Sequence, residues 1–544
     1  MKKYSLLVFG LMLSFSAWAQ KVTSSLPMVT GADVAVAQTE SGKVRGYIHN
    51  GTYTYKGIPY AQAERFTPPA KVKPWEGIRS SLTYGPVSPL VTPTTQVMDE
   101  SEFLFHHDWG YANEDCLRLN IWTQGLQDGK KRPVMVWIHG GGYTAGSSQE
   151  LPSYDGENIS KKGDVVLVSI NHRLNILGFL DLSEFGEKYK ASANVSMLDM
   201  VAALQWVKAN IANFGGDPDN VTIFGQSGGG GKVTVLMSAP SAKGLFHKAI
   251  VQSGIWADFG NQEATKRVGA AVLNELGILP SRVDSIQKVP YEKLAAAGQR
   301  ALKKVEAQLK AEGKPIGGFG FGLGWGPAID GTFLPYQPSD PRALALSTDV
   351  PLLIGSTKNE FMTSLRNPAL RKASADDIKG YIQKQYGDRA DAYTAAVKKA
   401  YPTDTRPNDL IDIDGFFRPG MVAQAGAKSS SGSAPVYSYL FAWQSPTLNG
   451  DFKAVHCMEI PFTMNNIARC EEMTGGGKDA YVLAGKMSQA WINFARSGNP
   501  NHKGLPVWQK YSSANGATLI FDTQCVEKYH HDKEVLALMG QPRL

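Results

Sequence analysis

Residues Gly225-Gln226-Ser227-Gly228-Gly229 form a G-x-S-x-G pattern that occurs once in the chain. A serine on a sharp turn between a strand and a helix presents its hydroxyl, and crowding at such a turn demands small residues two positions to either side. The chemistry is nucleophilic attack, and serine needs a neighbouring base because it is a weak nucleophile at its own pKa. Gly228 to Gly231 make four consecutive glycines. That run is costly inside a helix and implies close backbone packing. A second cluster, His139-Gly140-Gly141-Gly142-Tyr143, follows an apolar run at 134–138. Glycines there let backbone N–H groups turn toward charge developing on an attacked carbonyl, forming an oxyanion hole. A phosphate loop would need a following Lys-Ser/Thr, which is absent. Two such loops, each at the end of a predicted strand, point to acyl transfer through Ser227. Spacing alone does not choose the base among ten histidines.

These loops need a rigid scaffold. Short β-branched runs recur at 134–138, 165–170, 221–224, 249–252, 352–354, 436–442 and 518–521. Continuous apolar runs suit strands buried on both faces of a mainly parallel sheet. Met197, Val201, Leu204, Val207 and Ile211 recur at helical spacing, with Gly215-Gly216 as the stop. Alternating strand and helix predicts an α/β fold. Residues 258–314 and 368–428 read as helical excursions from the sheet, and 428–435 as a flexible Ser/Gly-rich connection.

The chain has 544 residues, 43% hydrophobic and 19% charged, which supports a large core and excludes collagen, coiled coil and wholesale disorder. A net charge of +7 without a basic run is no nucleic-acid footprint. Lys2 and Lys3, an apolar stretch at 6–15 and Ala17-Trp18-Ala19 describe a secretory signal peptide, residues 1–19, cleaved after Ala19. The stretch is too short for a membrane anchor. Residues 20–544 are therefore expected to be one elaborated catalytic domain, secreted or periplasmic. Cys116, Cys457, Cys470 and Cys525 can pair in an exported chain, and a Cys457–Cys470 bridge is expected. His106-His107-Asp108 and His530-His531-Asp532 resemble ligand pairs, but adjacent side chains diverge, and neither a metal nor another cofactor is expected.

From 42 to 521 the chain resembles the type-B carboxylesterase family, which includes bacterial nitrobenzyl-ester hydrolases and the cholinesterases. Its landmarks include Glu114-Asp115-Cys116-Leu117, Asn171-His172-Arg173-Leu174, Gly215-Gly216-Asp217-Pro218, Gln252-Ser253-Gly254 and His456-Cys457-Met458-Glu459-Ile460-Pro461. The resemblance implies an α/β-hydrolase fold: a large mainly parallel sheet flanked by helices, with helical excursions over the active site. It implies Glu360 and His456 as partners of Ser227, in the chain order of that fold. It also implies oxyanion donors at the N–H groups of Gly141, Gly142 and Gly228, and a small-molecule ester as partner. Inactive adhesion members of the family lose the nucleophile or its base; this chain keeps both. The triad leaves lipase, feruloyl-type esterase and amidase preferences open.

Several positions depart from the family. Gln226 and Gly228 stand where Glu and Ala are usual, Phe361 follows the proposed acid in place of Gly, and no cysteine near 85–88 can pair with Cys116. Gln226 removes a negative charge near the site, so neutral aryl or alkyl esters are expected over choline esters. The Gly-rich stretch 317–326 matches a loose dinucleotide pattern, but no strand precedes it. By resemblance it lies beside the acyl pocket, where Phe319, Phe321 and Trp325 would form an apolar wall; packing explains each of them equally.

Overall fold

The computed structural model describes residues 27–90, 99–254, 258–316 and 322–540. The signal-peptide segment, Phe319 and Phe321 lie outside the described residues. One twelve-stranded sheet carries the site. Along the chain its strands are β1 (Met28–Val29), β2 (Tyr47–His49), β3 (Thr52–Pro59), β4 (Arg118–Thr123), β5 (Arg132–Ile138) and β6 (Val166–Ile170). Then follow β7 (Gly216–Gln226), β8 (Lys248–Gln252), β9 (Leu352–Thr357), β10 (Val436–Phe441), β11 (Ala517–Phe521) and β12 (Val526–Tyr529). Across the sheet the order is β1-β2-β3-β4-β6-β5-β7-β8-β9-β10-β11-β12. Every pairing from β6 to β11 is parallel. Antiparallel strands complete both edges.

All seven apolar runs are strands of the parallel part, β5 to β11. Along β5 the side chains alternate between two cores: Val134, Val136 and Ile138 face one, Met135 and Trp137 the other. That alternation is why both faces must be apolar. The antiparallel strands escaped the apolar pattern. β3 contains Gly57 and Pro59, and β4 carries a buried Asn120, satisfied by the Gly57 N–H at 2.9 Å and by Ser148 and Ser169 at 3.0 Å.

The helices that matter are α1 (Val195–Asn210), α2 (Gly228–Met237), α3 (Gln262–Glu275), α4 (Tyr291–Ala311), α5 (Ala375–Tyr386), α6 (Ala390–Ala400), α7 (Arg418–Ser431) and α8 (Lys478–Ser497). Both expected excursions are helical. Two local readings are corrected. Gly215, at φ +73°, closes the turn after α1, whereas Gly216 already begins β7. Residues 428–431 continue α7, with Ser429 and Ser430 turning their hydroxyls back onto the Gly426 carbonyl at 2.9 and 3.0 Å. No helix of the described residues is long and apolar enough to cross a membrane.

The expected Cys457–Cys470 bridge is absent, and all four cysteines are free thiols. Each has its own environment: Cys457 Sγ donates to Gln226 Oε1 at 3.2 Å, while Cys470 packs into the apolar core.

Candidate active site

Ser227 links β7 to α2 with φ 58° and ψ −126°. A non-glycine residue held there stores about 1–3 kcal/mol of strain. Its N–H donates to the Gln252 carbonyl at 2.8 Å, and its carbonyl accepts from the Gly231 N–H at 3.0 Å. The flanking glycines have a steric reason. A Cβ at Gly225 would lie 2.5 Å from the Ile138 carbonyl oxygen, and one at Gly229 would overlap the same atom. A Cβ at Gly228 would overlap the Gly142 backbone. The motif is thus pressed against the end of β5 and the loop that follows it.

That loop turns through Gly141 and Gly142, at φ +75° and +60°. A Cβ placed on Gly140 would lie 3.4 Å from Ser227 Cβ, so the loop sits against the serine. Among the described residues the N–H groups of Gly141, Gly142 and Gly228 have no acceptor. Three free backbone donors beside a serine are the elements of an oxyanion hole.

Glu360 is fully buried just past β9 and bonds His456 Nδ1 through Oε2. Its Oε1 accepts from Ser253 Oγ at 2.5 Å and from the Thr357 N–H at 2.8 Å. The imidazole therefore donates from Nδ1 and leaves Nε2 as the acceptor. Phe417 stacks on the ring at 5.1 Å and 7°, and Phe361 lies against it at 4.7 Å. No hydrogen bond joins Ser227 Oγ to the ring. The Gln226 amide nitrogen lies 3.3 and 3.4 Å from its two nitrogens. Catalytic bonds of this kind are commonly long until substrate binds.

Burial alone would push His456 down, but the Glu360 carboxylate and its hydrogen bond, with Glu459 and Asp414 further off, hold it above its ordinary pKa. Burial beside Glu360 lifts both Glu459 and Asp414 to about 7. Glu360 and two weakly acidic carboxyls thus surround the base.

The structure gathers Ser227, Gly141, Gly142 and Gly228 at one corner and joins Glu360 to His456. Gln226 does not face an open pocket: it is fully buried, its carboxamide engaged by His456 and Cys457. Trp325 is buried in the core against Gly298 of α4. Sequence reasoning missed Ser253, Thr357, Phe417 and Lys232. Ser253 lay in view in the Gln252-Ser253-Gly254 landmark. Lys232, the one charged residue of α2 and fully buried, was the other readable signal.

A mainly parallel sheet with helices on both faces, a strained serine between strand and helix, and a Glu-His pair after later strands define an α/β-hydrolase of the serine type. The chain belongs to the carboxylesterase family, whose sequence signature matches residues 33–537. It is a serine hydrolase acting on carboxylic ester bonds. The para-nitrobenzyl esterase of Bacillus subtilis is 35% identical over 501 residues, covering 90% of this chain and 95% of its own. An esterase from anaerobic Clostridium hathewayi that can hydrolyze aliphatic aromatic polyesters superposes with a TM-score of 0.82 at 38% identity, covering 93% of this chain and 98% of its own. A carboxylesterase of Geobacillus stearothermophilus superposes with a TM-score of 0.72 at 34% identity, covering 93% of this chain and 100% of its own.

Proposed function

We propose that Ser227, His456 and Glu360 hydrolyse neutral aryl or alkyl esters through an acyl-enzyme. Ser227 Oγ attacks the ester carbonyl while His456 Nε2 takes its proton. The oxyanion forms against the N–H groups of Gly141, Gly142 and Gly228. Collapse expels the alcohol, protonated by His456, and leaves the acyl group on Ser227. Water, deprotonated by the same nitrogen, repeats the addition and frees the acid. Glu360 keeps the proton on Nδ1 and stabilises the imidazolium. The observation that carries the reading is Ser227 in a strained turn beside three unpaired backbone donors.

The preference for neutral esters rests on three features. Gln226 brings no charge, Glu459 and Asp414, lifted to about 7, are only partly ionised at neutral pH, and Phe361 and Phe417 flank the imidazole. The named activities of the Bacillus and Clostridium relatives, on a nitrobenzyl ester and on aliphatic aromatic polyesters, favour the same class. A panel of p-nitrophenyl and alkyl esters of varied acyl length, with fluorophosphonate labelling mapped by peptide mass, tests it. The label belongs on Ser227; a label elsewhere, or choline esters preferred tenfold over uncharged analogues, overturns it. Export is part of this proposal, supported by Lys2, Lys3 and the apolar run before Ala19. A mature chain found in the cell envelope or medium and beginning at Gln20 is the expected result.

A further inference from the structure

Lys232 lies five residues past Ser227 on α2 and is fully buried. An amine taken out of water must find acceptors. Its Nζ donates to the His139 carbonyl at 3.1 Å and to the Gly140 carbonyl at 3.3 Å. Burial pushes this amine down to about 7, with Glu150 as its acidic neighbour, so it stands ready to donate in either protonation state. Glu150 is fixed in turn by the Tyr154 hydroxyl at 3.0 Å. The Gly140 carbonyl also receives His139 Nδ1–H at 3.1 Å. Buried His139, held well below its ordinary pKa by burial and by Lys232, is neutral, and its ring stacks on His172 at 4.7 Å.

The doubly bonded carbonyl of Gly140 shares its peptide group with the Gly141 N–H, one of the three unpaired donors beside Ser227. Hydrogen bonds into an amide oxygen strengthen the same amide as a donor, most of all when the partner is ionised. We propose that Lys232 is a positioning residue of the oxyanion hole: through the Gly140 carbonyl it fixes and polarises the Gly141 N–H at the point where ester oxyanion charge develops. The proposal rests on the reading of Gly141 as an oxyanion donor. Lys232 touches no substrate atom and transfers no proton. Its contribution is a preorganised donor on the far side of the peptide, strongest when the amine is charged, where reaction requires no movement.

The test uses the full chain with Lys232→Met, which keeps volume without a donor, and Lys232→Gln, which keeps a donor at shorter reach and without charge. Four quantities separate polarisation from packing: kcat, KM, the Ki of an alkyl trifluoromethyl ketone and the Ki of the matching methyl ketone. The trifluoromethyl ketone adds Ser227 Oγ to form an anionic hemiketal, whereas the methyl ketone binds without that charge.

Loss of a direct oxyanion donor costs about 10²–10³ in kcat, so an indirect one is expected to cost roughly tenfold. For Lys232→Met the expected result is that kcat falls by that factor, KM stays within about twofold, and trifluoromethyl ketone affinity falls in step. Methyl ketone affinity holds, and Lys232→Gln recovers part of the loss. Equal weakening of both ketones, a loss carried by KM, or an unchanged kcat overturns the proposal. Should Lys232→Met fail to fold, the same split between ketones is read on Lys232→Gln. Ser227→Ala runs alongside, and activity surviving in it overturns the assignment of the site itself.

Discussion

At the nucleophile, position is set by backbone. Ser227 is held in its strained turn by peptide hydrogen bonds, and Gly225, Gly228 and Gly229 admit no Cβ because strand β5 and its loop lie directly on them. At the base, position is set mainly by side chains: the Ser253 hydroxyl joins the Thr357 N–H on Glu360, and Phe361 and Phe417 lie against the imidazole. The first half is a steric fit between neighbouring strands, sensitive to one added methyl group. The second is an electrostatic arrangement, sensitive to one removed charge. A site assembled from both should fail differently according to which half is touched, and five substitutions probe that difference.

The largest effect comes from removing either reacting group. Ser227→Ala and His456→Ala should each lower kcat by roughly 10⁴–10⁶, since the members of such a unit fail together. Circular dichroism should change little in either; melting temperature should hold in Ser227→Ala but fall in His456→Ala, which leaves the buried Glu360 without its partner. Glu360→Gln comes next, at roughly 10³–10⁴, through loss of tautomer control and imidazolium stabilisation. Its pH profile carries the sign. His456 stands above its ordinary pKa because Glu360 is charged, and only the neutral ring accepts a proton. The acid limb of kcat/KM should therefore lie above pH 6.5 in the wild type and move to lower pH in Glu360→Gln. A limb that stays in place would show that Glu360 does not set the base.

Gly228→Ala tests the backbone half. The introduced Cβ would overlap Gly142, so the loop must retreat and its N–H groups with it. A displacement near 1 Å can cost about 10²-fold, and a 10- to 100-fold fall in kcat with KM nearly unchanged is expected. This is expected even though Ala is the usual family residue there, because in this chain the Gly142 backbone lies directly against Gly228. Activity within twofold of wild type would mean that the loop adapts freely and that the backbone half is softer than its packing suggests.

The same division explains what the sequence made legible. Backbone constraints leave glycines at fixed spacing, so Gly140-Gly141-Gly142 and G-x-S-x-G could be read without a structure, as could the seven parallel strands buried on both faces. Side-chain constraints leave no spacing. Glu360 and His456 are 96 positions apart, and only the resemblance singled them out from the other acids and histidines. The antiparallel strands were hidden for a related reason, since Asn120, Gly57 and Pro59 break the apolar pattern while being satisfied locally in three dimensions. The expected disulfide failed because spacing along the chain carries no information about the hydrogen bond that Cys457 makes to Gln226.

The smallest effect joins the two halves at Gln226, which precedes the nucleophile in the chain and touches the base in space. Gln226→Glu keeps volume and adds an acid about 3.4 Å from the His456 nitrogens. At an effective dielectric near 20, opposite charges about 4 Å apart attract by roughly 4 kcal/mol. Burial works against this attraction. Glu459 and Asp414, already in the cluster, are lifted to about 7, and a third carboxyl beside Glu360 should share that fate. Near pH 6 the introduced acid is then neutral and close to isosteric with Gln, so activity should stay within about threefold of wild type. Toward pH 8 it ionises and stabilises imidazolium, so the acid limb should broaden to higher pH and recover by about pH 9. The same ionisation governs cationic esters: the kcat/KM ratio of butyrylcholine to its uncharged dimethylbutyl analogue should rise with pH in the variant and stay below tenfold at pH 6. A tenfold shift toward the cation that is equal at pH 6 and pH 9 would mean that the acid is charged throughout. The base would then sit in a far wetter environment than the burial of Glu360, Glu459 and Asp414 indicates.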